Sequence, residues 1–275
     1  VPGRDVGYAG MKDRHGVTTQ WFSVALQEAK NSAWQEWDIP DAVILSAHLH
    51  NRKLKRGALR GNRFRIKIRQ LEGRLEGLEE RLQTVMAQGV PNYFGPQRFG
   101  HGGRNVGQGA RWLERGGRLP RNKRSIYLSS VRSFLFNEVL SRRVDLGNWN
   151  HMIDGDIASL DGSHATFPCT MPDPVLVRRA EEFDIHPSGP LPGRDRSPAT
   201  RECAEIEAEI LAPHATLVRG LEKAGLEASR RPLRLVPGAM QWTFGKADLV
   251  LEFELPSGGY ATSVLRELVT ISETE

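Results

Sequence analysis

The stretch Phe64-Arg65-Ile66-Lys67-Ile68-Arg69 alternates apolar and basic residues with a period of two. Successive side chains of a strand point to opposite faces, so Phe64, Ile66 and Ile68 are expected in a core and Arg65, Lys67 and Arg69 on a basic outer face. The same period returns near the other end of the chain, where Leu249, Leu251, Phe253 and Leu255 alternate with Val250, Glu252 and Glu254. Leu233 and Leu235 suggest a third strand, and Gln20 to Leu26 a fourth. Between these strands the spacing is helical. Leu75, Leu78, Leu82, Val85 and Met86 form a stripe that Gly89 stops. Further helices are expected over Ser129–Val144, Thr200–Leu211 and His214–Ala224, the last two separated at Pro213. Glycine and proline place loops at Gly100–Gly109 and His186–Ser197. Strands at both ends with helices between them imply an α+β fold with an antiparallel or mixed sheet, interrupted by a helix-rich insertion.

Charge distribution narrows the function. The 275 residues carry a formal net charge of +5 and the pI is about 9.4. The cations are gathered: Arg52, Lys53, Lys55, Arg56, Arg60, Arg63, Arg65, Lys67, Arg69 and Arg74 stand against the single acid Glu72. A second run holds Arg98, Arg104, Arg111, Arg115, Arg118, Arg121, Lys123, Arg124 and Arg132, opposed by Glu114. Such density, interleaved with aromatics and glycines, favours a polyanion, because each neutralised phosphate releases counterions. No apolar run is long enough to span a bilayer. Cys169 and Cys203 are too few for a disulfide framework and lack metal-ligand spacing, which suits a reducing cytoplasm. The chain opens at Val1 rather than Met, so a preceding segment is expected.

Four segments hold residues suited to chemistry. In Gly10-Met11-Lys12-Asp13-Arg14-His15, a carboxylate lies between two cations just after a glycine-bearing turn, where it would stay ionised as nucleophile or base. A surface ion pair would look the same. Asn92-Tyr93-Phe94-Gly95-Pro96-Gln97-Arg98-Phe99-Gly100 offers aromatics to stack a base and Asn92, Gln97 and Arg98 to bond its edge, although a core turn could carry the same residues. The run from His50 to Phe64 would approach phosphate closely at its glycines. Near the end, Tyr260-Ala261-Thr262-Ser263-Val264-Leu265-Arg266-Glu267-Leu268 puts Arg266 on a helix opened by Thr262 or Ser263, where it could hold a carboxylate.

Together, and in this order, these four segments resemble the TruD family of tRNA pseudouridine synthases. The resemblance implies a pseudouridine-synthase sheet domain at 1–102 and 228–275, its N-terminal segment missing, around an inserted TRUD domain at 103–227. It further implies isomerisation of a uridine in tRNA, characteristically at position 13, with no metal or cofactor. Asp13 matches the catalytic aspartate, and Asn92 and Phe94 match the active-site asparagine and the base-stacking aromatic. Lys12 and Arg98 join them as substrate-binding residues, and Arg52, Lys53, Lys55, Arg56, Arg60 and Arg63 as RNA-binding cations. Arg266 is assigned as the cation facing Asp13, because related synthases place a basic residue there; in an extended segment Lys12 and Arg14 would point to the opposite face. A cytoplasmic monomer acting on tRNA is expected. The family carries several tens of residues before the aspartate motif, and the insertion offers no motif to quote.

Other features carry less. His48 and His50 lack further ligands for zinc. The glycines of Gly100–Gly109 lack the lysine of a phosphate loop. Trp21, Trp112, Trp149 and Trp242 are expected in cores or interfaces. Two rival readings remain: a non-catalytic RNA-binding protein of the same fold, and an RNA-directed hydrolase with Asp13 as base.

Overall fold

The computed structural model describes residues 3–13, 16–25, 34, 37–73 and 76–270. The chain forms two units, 1–62 and 63–275. In the first, a short ladder pairs β1 (Val6–Tyr8) with β2 (Phe22–Val24), Val6 opposite Val24. The 53–57 segment is fastened to this ladder. Leu54 N–H donates to Ser23 Oγ at 2.8 Å, and Gly57 N–H to the Ala9 carbonyl at 2.8 Å.

The second unit holds all but the first two residues of β3 (Gly61–Arg69), the strand read from its alternation. After it come α1 (Glu76–Gln88), β4 (Val90–Pro91), α2 (Arg104–Arg115) and α3 (Arg121–Asp145). Next are β5 (Ile157–Leu160), β6 (Thr166–Pro168), α4 (Pro174–Glu181) and β7 (Ile185–Leu191). The chain ends with α5 (Arg201–Leu211), α6 (Ala215–Lys223), β8 (Ser229–Pro232), β9 (Arg234–Leu235), β10 (Gly238–Phe244), β11 (Asp248–Pro256) and α7 (Ala261–Leu268).

β3 lies beside β11 at the edge of a three-stranded sheet ordered β10-β11-β3. Its inner face behaves as the period demands: Phe64, Ile66 and Ile68 pack with Leu249, Leu251, Phe253 and Leu255 beneath α1 and α7. Its outer face is not a bare basic stripe. Arg63 pairs with Glu254 at 2.6 Å, Arg65 with Glu252 at 2.9 Å and Lys67 with Asp248 at 2.7 Å. The descending order of the acids is that of antiparallel neighbours. Such exposed pairs each contribute at most about 1 kcal/mol, but they engage three of the four cations of β3, Arg69 being the fourth.

Between α3 and β10 the chain holds more sheet than its helical periodicity suggests. An antiparallel four-stranded sheet runs β6-β5-β7-β8. Its third strand, β7, corrects the loop expected at His186–Ser197. Pro187, Gly189 and Pro190 read as punctuation, yet Ser188 and Gly189 pair with Pro232 and Arg231. Buried His186 completes the strand: Arg234 Nε donates to its Nδ1 at 3.0 Å, which leaves Nε2 to donate to Asp161 at 3.1 Å. Burial, with Arg234 nearby, holds the His186 pKa below its ordinary value, so the ring stays neutral.

The loop expected at Gly100–Gly109 is also corrected, because α2 begins at Arg104. Gly109 serves helix packing there. A Cβ on it would lie 2.8 Å from Val131 Cγ2 and 3.1 Å from the Tyr127 carbonyl, so only glycine lets α2 meet α3. The helix α3 starts eight residues before the expected Ser129. The single strand expected at Leu233 and Leu235 is two: β8 pairs with β7, and β9 with β4. Of the tryptophans, Trp21 is 61% exposed and so not a core residue, whereas Trp149 packs against the Phe94–Phe136 cluster. Among the described residues no helix is long and apolar enough to cross a membrane, and no His, Cys, Asp or Glu group could hold a metal ion.

Candidate active site

The pairing of β4 with β9 delivers the 92–100 segment to the junction of α3, β8 and α7. Asn92 N–H donates to the Leu233 carbonyl at 2.8 Å, continuing the ladder by one rung. Phe94 is then fixed by its own peptide: its N–H donates to Asn137 Oδ1 at 3.0 Å, and Asn137 Nδ2 donates to its carbonyl at 3.1 Å. Tyr93 is held from α7, where Ser263 Oγ donates to its carbonyl at 2.9 Å. That helix starts at Ala261, so Ser263 fastens the aromatic segment instead of opening the helix. A Cβ on Gly95 would sit 2.8 Å from Tyr260 Cδ1 and 2.8 Å from Thr262 Oγ1, which explains the glycine between the aromatics and Pro96.

Phe94 is 8% exposed and packs with Phe136, Leu140 and Leu233. Phe136 and Tyr260 approach its ring with interplanar angles of 82° and 68°. Two guanidinium groups complete its surroundings, Arg231 at 4.1 Å from the ring centroid and Arg98 at 5.3 Å. Arg98 Nε also donates to the Tyr260 hydroxyl at 3.1 Å. Asn92 is buried with both polar ends engaged: Nδ2 donates to the Pro232 carbonyl at 2.8 Å, and Oδ1 accepts from Arg231 Nη2 at 2.6 Å. Burial pushes the Arg231 pKa down to about 10, opposed by Tyr260 and reinforced by Arg98, so the side chain remains a cation at neutral pH.

Two adjoining cavities open beside this cluster. One of about 500 Å³ is lined by Tyr93, Phe99, Phe134, Asn137, Glu138 and Arg266, among others. The second, of about 350 Å³, is lined by Phe94, Pro96, Phe99, Gly103 and Arg266, among others. Both lie in the size range of small-molecule sites, roughly 300–1,000 Å³. Arg266 borders both, lies 4.3 Å from the Tyr93 ring centroid and contacts Glu267 at 3.5 Å.

The remaining expected residues, Arg63 apart, lie in the first unit. Asp13 is exposed on an irregular segment between β1 and β2, and Arg14 falls outside the described residues. Lys12 donates through Nζ to Asn62 Oδ1. Arg52, Lys53, Lys55, Arg56 and Arg60 are all exposed; Lys53 reaches the Arg4 carbonyl, and Arg56 lies against Tyr8. Arg63, by contrast, donates through Nε and Nη2 to Glu254. The structure therefore gathers Asn92, Phe94 and Arg98, with Arg266 on the same cavities, and adds Arg231, Asn137 and Tyr260. Asn137 sits inside an apolar helical stripe and Arg231 in an ordinary strand, so no local pattern marks either.

Cavities lined by aromatic residues and Arg266, beside a phenylalanine flanked by Arg231 and Arg98, make a candidate site for a flat, anionic ligand such as a nucleotide. The comparisons give the family. The family model of tRNA pseudouridine synthase D (TruD) matches residues 1–109 and 105–268. The chain is 49% identical to the tRNA pseudouridine synthase D of Nitrosococcus oceani over 98% of its own length and 76% of that protein's. It is 50% identical to the same protein of Methylococcus capsulatus, over 96% and 75%. The structure of a putative tRNA pseudouridine synthase D from Methanosarcina mazei superposes with a TM-score of 0.70 at 22% identity, covering 96% of this chain and 81% of that one, a likeness of fold. The chain belongs to the TruD family of tRNA pseudouridine synthases.

Proposed function

We propose that Asp13 is the nucleophile with which this tRNA pseudouridine synthase, an isomerase, converts a uridine of tRNA to pseudouridine. The observation that carries this reading is the Gly10–His15 motif inside a family match that spans nearly the whole chain. The substrate position taken from the family is uridine 13. The reaction breaks the bond from C1′ to N1 and forms one from C1′ to C5; a proton leaves C5 and one is gained at N1, with no net oxidation. Asp13 adds to C6 of the uracil, attacks C1′, or removes a proton to give a glycal.

The target base is stacked in folded RNA, and extruding it costs a few kcal/mol. The cavities beside Phe94 and Tyr93 are the place for the extruded nucleotide, where aromatic contact offsets part of that cost. Arg98 and Arg266 supply positive charge at their rim, and the exposed cations Arg52, Lys53, Lys55, Arg56 and Arg60 hold phosphates farther along the RNA. Lys12 acts beside Asp13 on the substrate. In this reading residues 1–102 and 228–275 make the catalytic domain, 103–227 the insertion, and the protein works as a cytoplasmic monomer.

The test is conversion of a uridine-containing tRNA, read by carbodiimide-resistant adducts. Wild-type protein forms pseudouridine, whereas Asp13→Asn forms none and still binds tRNA. An Asp13→Asn protein as active as wild type removes Asp13 from the chemistry. Strand cleavage in place of isomerisation would favour the hydrolase, and binding without product the passive RNA binder.

A further inference from the structure

We infer that Arg231 is a positioning residue of the synthase: its guanidinium, clasped by Asn92 and the Gly258 carbonyl, sets the Phe94 ring against which the uridine packs. The inference rests on the function proposed above and deepens it.

The clasp is reciprocal. From β8, Arg231 Nη2 donates to Asn92 Oδ1 at 2.6 Å and to the Gly258 carbonyl at 2.9 Å, and Nε to the Asn92 carbonyl at 3.4 Å. In return Asn92 Nδ2 donates to the carbonyl of Pro232, the next residue of β8, at 2.8 Å. Three stretches distant in sequence, around 92, 231 and 258, thus meet at one guanidinium. Its Cζ lies over the Phe94 ring, 4.1 Å from the centroid, and Asn137 pins the Phe94 peptide from α3.

Arg231 has no carboxylate within ion-pair distance among the described residues, unlike the buried Arg143 and Arg230, which hold Asp156 and Glu207. Buried Arg234 also lacks an acid and is held by His186 and carbonyl oxygens, but Arg231 differs in lying against Phe94, which lines a cavity. Here the charge rests on an aromatic face and on neutral oxygens, so its planarity matters more than its charge. This also recasts Asn92. With both ends of its amide engaged, it contributes by orienting Arg231 and need not read the base. A lysine at 231 would keep the charge but could not lie flat on Phe94 while reaching two acceptors.

The experiment compares Arg231→Lys, Asn92→Ala and the double variant with wild type and Asp13→Asn. Each is assayed by single-turnover pseudouridine formation on tRNA, tRNA affinity across a salt series and thermal unfolding. Expected for each single variant is a loss of about tenfold or more in the conversion rate per folded molecule, with affinity within about threefold, as for an interaction that acts on the reacting geometry. The double variant should be no slower than the slower single one, because the two side chains act as a unit. A rate within about twofold of wild type in the folded single variants overturns the inference. So do multiplying losses in the double variant. A salt slope lowered by about one with turnover intact would instead make Arg231 a phosphate ligand. Absence of pseudouridine from wild type, or full activity in Asp13→Asn, would strike the underlying function and leave the role of Arg231 a separate matter.

Discussion

Phe94 is asked to do two things. In the proposed reaction it presents a ring to a base, and it is also 8% exposed within a cluster of Phe136, Leu140 and Leu233. Truncation to alanine would therefore cost roughly 3–5 kcal/mol of stability, as core phenylalanines do, and would confuse folding with chemistry. Phe94→Leu keeps most of the volume and loses the aromatic face. We expect it to stay folded by circular dichroism and to slow pseudouridine formation more than it weakens tRNA binding; an equal loss for every RNA tested would mean that the ring serves only the core. The motif Asn92–Gly100 was legible in the sequence as an aromatic, hydrogen-bonding turn. That Asn92 turns inward to Arg231 was not, since their partnership spans 139 residues.

Among the elements, α3 shows how a helix is tied to the chain that follows it. Its Arg143 is 1% exposed and donates to both oxygens of Asp156 at 2.8 and 3.0 Å, and to the Asn148 carbonyl at 2.8 Å. Arg143→Met leaves the Asp156 carboxylate buried without its cation. The expected loss is about 3–5 kcal/mol, measured by denaturant unfolding, and Arg143→Met/Asp156→Leu should recover much of it. A single variant as stable as wild type would show that water or another donor replaces the arginine. The first turns of α3 escaped sequence reading because Arg121-Asn122-Lys123-Arg124 is polar all round and shows no apolar stripe. Strand β7 escaped because its prolines and glycine imitate a loop; neighbouring strands impose its extended shape. By contrast, β3 and β11 were legible because each buries one face only, and that is the condition under which a period of two appears.

For the whole molecule the issue is which cations meet RNA. Composition counted Arg52 and Arg63 alike, but the structure divides them: Arg63, Arg65 and Lys67 face Glu254, Glu252 and Asp248, whereas Arg52, Arg56 and Arg60 are exposed without an acid on them among the described residues. Replacing Arg52, Arg56 and Arg60 by alanine should weaken tRNA binding and flatten its dependence on salt, by about one in the logarithmic slope for each phosphate that is no longer neutralised. Replacing Arg63, Arg65 and Lys67 by glutamine should leave that slope nearly unchanged. The reverse ranking would place the RNA along β3. By itself the sequence determined what depends on local periodicity and on ordered motifs: the α+β class, the strands β3 and β11, the family and the aromatic turn. Only the tertiary structure decided which polar groups are already satisfied, because a cation's availability depends on what the fold packs beside it, and for Arg63 and Arg231 those partners lie 191 and 139 residues away.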